Sequence, residues 1–427
     1  MINKIVSLLK KHKKIEFKVY ETKAKTTELF FVRDLLETNR KTNTTSYKVT
    51  VYKNFDKYKG ESTFEVSPLM APEEIEELID KAIERCEFVK NEFYELPMPL
   101  KTYKDTSSNE LDKLDDEEVA LNVSKAIFKA DDNVDGWINS VEIFINRYEN
   151  RLINSNGIDY TSHTANLFVE IIPTWKGKKE EIELYHSIET SKIDYDDIYK
   201  EIKELMANAK ARSVAKKLPK NLKKCNVILP QEEISLLVES FARQLSYQTK
   251  FMKMNLFNVN DVLSDGKDCD NMTITLKNKV EGTSEVKLFD GDGVVLKDCN
   301  IIKDGVIKKL HGDQQFGSYL GVKRPTGRFS NAELEPGSVA YEDMLKEPYI
   351  YCVSFSSPQL EEYSSYYGGE VRLGFYFDGK NTYPVTGFSI AGNLYEDIKH
   401  FRFSKEVDTY KTFRGPKYLW IPNVNIN

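Results

Sequence analysis

Five histidines, five cysteines and a few clustered carboxylates are the residues of this sequence whose types could do chemistry. His12, His163, His186, His311 and His400 stand singly, and no two have the spacing of a helical or hairpin ligand pair. A metal site built on such a pair is therefore not expected, and separate buried or exposed imidazoles are. Cys86, Cys225, Cys269, Cys299 and Cys352 are also scattered, with no C-x-x-C spacing. An odd, unpaired set reads as reduced thiols in a cytosolic chain. Asp290-Gly-Asp-Gly293 has the look of a calcium loop. Such a loop needs further oxygens and a bidentate glutamate about 12 positions from its start. The apolar residues on both sides point instead to a hairpin turn. No G-x-S-x-G is present, so no serine nucleophile can be placed. Glu239 would be a general base only beside a metal-bound water, whose pKa falls to about 7. Without a metal it has nothing prepared to deprotonate.

The elements that must position these groups can be read from periodicity. Glu16–Tyr20, Leu29–Val32 and Tyr47–Tyr52 alternate as strands divided by polar turns. Pro72 opens a helix whose Ile75, Leu78, Ile79, Ala82, Ile83 and Cys86 form one apolar stripe. Lys101 to Asp116 reads as a polar loop or linker, and a helix resumes at Glu117. Strands are expected at Val141–Ile145, Arg151–Ile153 and Leu167–Ile172, then a helix from Asp194 with acids first and lysines last. After one further helix over 232–250, the chain turns to short β runs separated by glycines. On that helix Ile234, Leu237, Val238, Phe241 and Leu245 make a continuous apolar stripe, while Glu239 and Arg243 can pair on its flank. The expectation is an α+β protein, with an N-terminal α/β domain over 1–220 and a β-rich C-terminal domain over 221–427.

Composition narrows the partners. Among 427 residues the net charge is −6, with acids and bases interspersed, so no basic stripe invites direct nucleic-acid contact. The lysines between Lys210 and Lys224 read as a solvated helix end and turn. No apolar run approaches the roughly 20 residues of a membrane span. The first ten residues are too short, and too soon followed by lysines, for a signal peptide. Cytoplasm is the expected compartment.

Four blocks resemble the TldD/PmbA family. They are Leu152–Gly157; Asn226–Pro230 with Glu233–Arg243; Phe289–Val294, Ile301–Val306 and Thr326-Gly327; and Gly374–Lys380, Tyr383–Gly387, Ser389–Asn393 and Gly415–Leu419. The resemblance implies a cytosolic metallopeptidase system in which one subunit carries zinc and a related subunit, on the PmbA or TldE side, lacks it. In the catalytic branch the second block's helix holds His-Glu-x-x-x-His. This chain has Val238, Glu239 and Arg243 at those positions, and no counterpart of the family's cysteine ligand after Asn393. Valine has no lone pair to offer and guanidinium is a permanent cation, so no metal and no other cofactor is expected. The resemblance makes His311 a candidate for substrate contact. Gly387 and Gly392, with Ser389 and Asn393 in the same block, could let a peptide add as a strand, or could serve as bend and bulge positions. The function implied is a metal-free, non-catalytic subunit that acts on unfolded peptides beside a zinc-bearing TldD-like partner or a second copy of itself. The alternatives are a stand-alone peptidase using Glu239 and His311, and a gyrase-modulating interaction protein.

Overall fold

The computed structural model describes every residue except 179, 357 and 362. Its first half is one eight-stranded antiparallel sheet: β1 (Ile15–Val32), β2 (Leu35–Asn54), β3 (Tyr58–Val66), β4 (Asn91–Glu92), β5 (Gly136–Asn154), β6 (Asp159–Lys176), β7 (Glu181–Glu183) and β8 (His186–Thr190). The first seven strands lie in the order β4-β3-β2-β1-β5-β6-β7, and β8 pairs with β6. Several strands are far longer than the sequence suggests. Val141–Ile145 and Arg151–Ile153 belong to the single strand β5. The stretch between them, Asn146–Asn150, is polar but still paired with both β1 and β6.

Four helices cover one face of this sheet. They are α1 (Ile2–Leu9), α2 (Pro72–Arg85), α3 (Asp116–Lys129) and α4 (Tyr195–Val214). Val19 sits opposite Ile153, and Phe31 opposite Val141, so these residues share that face. At one end α1 and α2 pack on Val19, Val49, Val51 and Ile153. At the other, α3 and α4 pack on Val141, Ile143, Leu167 and Val169. Two of these helices start on side-chain caps. Asp115 accepts from the N–H groups of Glu117 and Glu118, and Asp194 from those of Asp196 and Asp197, satisfying donors that a helix start leaves orphaned. The stretch 101–116 is irregular, as expected for a loop, yet Leu111 within it is fully buried.

The second half holds α5 (Gln231–Gln244), α6 (Tyr247–Phe251) and two sheets. Its strands begin with β9 (Lys224–Pro230), β10 (Ile274–Lys277), β11 (Cys299–Lys303), β12 (Val306–Ile307) and β13 (Asn331–Leu334). They continue with β14 (Tyr349–Phe355), β15 (Gln359–Glu361), β16 (Tyr366–Phe377), β17 (Thr382–Val385) and β18 (Phe388–Asn393). The last are β19 (Arg402–Phe403), β20 (Val407–Tyr410), β21 (Phe413–Pro416) and β22 (Tyr418–Ile426). One sheet runs β14-β9-β22-β18-β16, and pairing of β14 with β16 closes it into a ring. The other runs β12-β11-β10-β13-β21-β20. Ile234, Leu237, Val238 and Phe241 of α5 join residues of both sheets in one core.

The single helix expected over 232–250 is two. His311 causes the break. Its N–H donates to the Leu245 carbonyl at 3.0 Å, and its own carbonyl accepts from Tyr247 N–H at 2.7 Å. The Ser246 hydroxyl then caps α6 by accepting from Thr249 N–H. Among the described residues no helix is long and apolar enough to cross a membrane.

Candidate functional site

The chemistry sought in the sequence converges on α5. Val238 is 1% exposed within the core, whereas Glu239 and Arg243 are exposed. Glu239 and Arg243 lie four residues apart on the exposed face of α5, as their spacing places them. Four residues apart on a solvated face, two long side chains gain only a few tenths of a kcal/mol by meeting.

His311 is enclosed beneath the C-terminal end of α5. Its Nε2 lies 2.7 Å from the Ala242 carbonyl, which requires a proton on that nitrogen. Nδ1 is buried and has no hydrogen-bond partner among the described residues. Burial disfavours the imidazolium and lowers the pKa to about 4. This imidazole bonds the helix from below and is not displayed to a substrate.

The β18 block is equally accounted for. Ser389 exchanges backbone hydrogen bonds with Asn427, both at 2.9 Å, while β16 occupies the other side of β18 along its length. With both neighbours in place, the strand has no free edge at Ser389 for a peptide to join. Gly392 packs on Tyr367, whose ring would lie 2.2 Å from an added Cβ. Gly387 has φ +70°, a turn conformation that favours glycine. The Asn393 side chain caps the short helix Leu394–Asp397 by accepting from Tyr395 and Glu396 N–H. Sequence reasoning found this block through its glycines, which serve bending and close packing.

Asp290 is also structural. One of its carboxylate oxygens accepts from the N–H groups of Asp292, Gly293 and Val294, and the other from Arg328 N–H. These are anion-satisfying contacts inside a hairpin turn, closed by Phe289 against Val295. Asp292 turns outward to Lys18 of β1 at 2.5 Å.

One feature escaped the sequence reading. Glu233, in the first turn of α5, lines a mostly apolar cavity between that helix and the ring. It has no hydrogen-bond or ion-pair partner among the described residues. Burial, assisted by the charge of Glu232, raises its carboxyl pKa to about 7. Glu232 itself accepts from the Tyr410 hydroxyl at 2.8 Å. A pair of acids in a first helical turn looks like ordinary dipole complementation in sequence. Only the folded sheet reveals that one of them points under the helix.

A wide polar groove of about 1060 Å³ lies between α4 and the sheet that ends in β21 and β20. Glu189, Asp197 and Glu201 line one wall, and Lys411, Arg414 and Lys417 the other.

Residues 222–427 match the PmbA/TldA metallopeptidase C-terminal domain. Over these residues the chain is similar to the TldD/PmbA family. A metalloprotease of Methanocaldococcus jannaschii is 23% identical over 313 residues, covering 68% of each chain. The fold matches a Thermotoga maritima protein described as a proposed modulator of DNA gyrase, with TM-score 0.80 and 16% identity, over 100% of this chain and 99% of that one. It also matches TldE from Thermococcus kodakarensis, with TM-score 0.79 and 15% identity, again over 100% and 99%. The TldD/PmbA fold here is a mixture of helix and strand with a β-rich C-terminal half.

The metal centre of catalytic TldD/PmbA members does not fit this α5. Zinc requires imidazole, thiolate or carboxylate lone pairs. The helix offers a valine enclosed in the core and an arginine, with Glu239 alone keeping its type. Among the described residues no three His, Cys, Asp or Glu side chains are grouped so as to hold a metal ion.

Proposed function

We propose that this chain is the metal-free, non-catalytic subunit of a cytosolic TldD/TldE-type protease. It stands beside a zinc-bearing TldD-like partner, or a second copy of itself, and helps to hold unfolded peptides. One observation supports the reading: α5 packs Val238 into the core and exposes Arg243, at the positions where the resemblance places imidazoles. A wall of this kind contributes enclosure and shape, and the chemistry stays with the partner. An independent peptidase built on Glu239 and His311 gains no support, because Glu239 is exposed and His311 is buried against Ala242. The net charge of −6 gives direct DNA contact nothing to build on, so the gyrase-modulating alternative would have to act through protein or peptide contacts.

The test is purification of the chain alone and together with a family member bearing His-Glu-x-x-x-His. Expected are no stoichiometric zinc and no peptide cleavage alone, and a stable complex with activity in the mixture. One tightly held metal per chain of the isolated protein would overturn the proposal.

A further inference from the structure

The cavity under α5 has a volume of about 60 Å³. Leu237 and Glu233 of α5, Leu360 of β15, Tyr367 of β16, Ile390 of β18 and Phe401 form its lining. Leu236 and Gln359, which also line it, are exposed, so the cavity reaches the surface between α5 and β15. At about 10–15 Å³ per water-sized position, the space accommodates roughly four to six heavy atoms. That matches an isobutyl group, admits the smaller isopropyl, and is too small for an indole.

Glu233 is the only carboxyl in this lining among the described residues. The other polar side chain of note, Tyr367, already donates its hydroxyl to Asp397 at 2.8 Å. A carboxyl held among leucines without a donor is costly. The neighbouring charge that acts on it is Glu232, which repels it. The local chemistry therefore lacks a cation, and an apolar group of limited size fits beside the position that a cation would take.

We propose that this cavity binds a primary ammonium group carried on a small branched apolar body, with Glu233 as the counter-ion and the leucines receiving the hydrocarbon. In a peptide that combination occurs at an amino terminus bearing leucine or valine. β15 pairs only with β16 among the described residues, so the backbone following such a terminus has a strand edge beside it to run along. Glu233, rather than the glycines of β18, is then the residue that selects the ligand. The inference rests on the peptide-holding reading only for the carrier of the amine, and its test uses the isolated chain with no proteolysis. Failure would leave pairing with a zinc-bearing subunit untouched.

Titration calorimetry with Leu-Ala-Ala-amide, its N-acetylated form and Gly-Ala-Ala-amide provides the test. The free leucyl amine should bind saturably. Acetylation should weaken binding by about tenfold or more, the scale of one charge-assisted hydrogen bond. Glycine should lose a comparable factor, as expected for an emptied apolar cavity. Glu233→Gln removes no existing partner, and its folding can be checked by circular dichroism. It should bind the free and acetylated peptides alike. Equal affinity of wild type for the free and acetylated forms would overturn the proposal. So would unchanged preference in E233Q, or absence of saturable binding to the folded wild-type chain at millimolar peptide.

Discussion

His311 and Glu233 are two titratable groups that the fold treats in opposite ways. His311 is held neutral, with a pKa of about 4 against 6.5 for an ordinary imidazole. Between those values the unfolded chain binds a proton that the folded chain refuses, so this contribution is present above pH 6.5 and is lost as pH falls toward 4. The gap corresponds to about 3 kcal/mol. Denaturant titrations of wild type and His311→Gln at pH 7 and pH 4.5 should show the stability difference between them shrinking at the lower pH. Glu233 runs the other way. Its carboxyl is raised from 4.5 to about 7, so the folded state retains a proton that the unfolded state releases. Its contribution is present below pH 4.5 and is lost as pH rises through 7. Glu233→Gln should thus match wild type near pH 4 and exceed it at pH 8 by about 2 kcal/mol, a figure reduced for the partial exposure of the side chain. Equal stabilities at pH 8 would show that the carboxyl is better solvated than its surroundings indicate.

Among the elements, the junction of α5 and α6 depends on a few polar contacts. Replacing Ser246 by alanine removes the α6 cap and should cost about 1 kcal/mol in thermal or chemical unfolding. Gly392→Ala places a methyl group against the Tyr367 ring. It should cost about 1–3 kcal/mol, the usual range for overpacking. Much at this scale was legible beforehand. Pro72 and the stripe through Ile75, Ile79 and Ala82 gave α2 nearly to the residue, and the stripe from Ile234 to Phe241 gave the buried face of α5. Other parts were not. The polar middle of β5 hid its continuity, because residues such as Arg147 and Asn150 find partners in Asp116 and Thr22 on other segments. The helix break at Ser246 depends on His311, far along the chain, and no local pattern announces it. Helix α1 passed for an undistinguished start, although Ile2, Ile5 and Leu9 are all buried. The candidate site was legible only as a deficit. The missing imidazoles could be read directly, whereas the acidic cavity required Leu360, Tyr367 and Phe401 to be brought to Glu233.

For the whole molecule, a small shared core is one of several places where the two halves meet, alongside contacts such as Tyr94 with Tyr319. Leu152, Ile158 and Tyr160 from the β5–β6 turn pack with Val286, Leu288 and Phe289, and the Lys18–Asp292 pair stands beside them. Phe289→Ala should cost about 3–5 kcal/mol. Because the loss falls at the junction, calorimetry should show the unfolding endotherm of wild type separating into two. A single transition merely moved to lower temperature would mean that the halves are joined mainly by other contacts.

The closed ring places β22 between β9 and β18, with Trp420 opposite Ile228 and Ile426 opposite Ile390. During synthesis β9 leaves the ribosome long before the strand that completes its pairing. Until then α5 rests on an unfinished surface, and the edge of β9 stays open to any extended chain nearby. Pairings so distant in sequence form slowly, and half-built sheets are prone to wrong associations. The same strand that completes the ring therefore sets the interval during which a newly made copy most needs protection by chaperones.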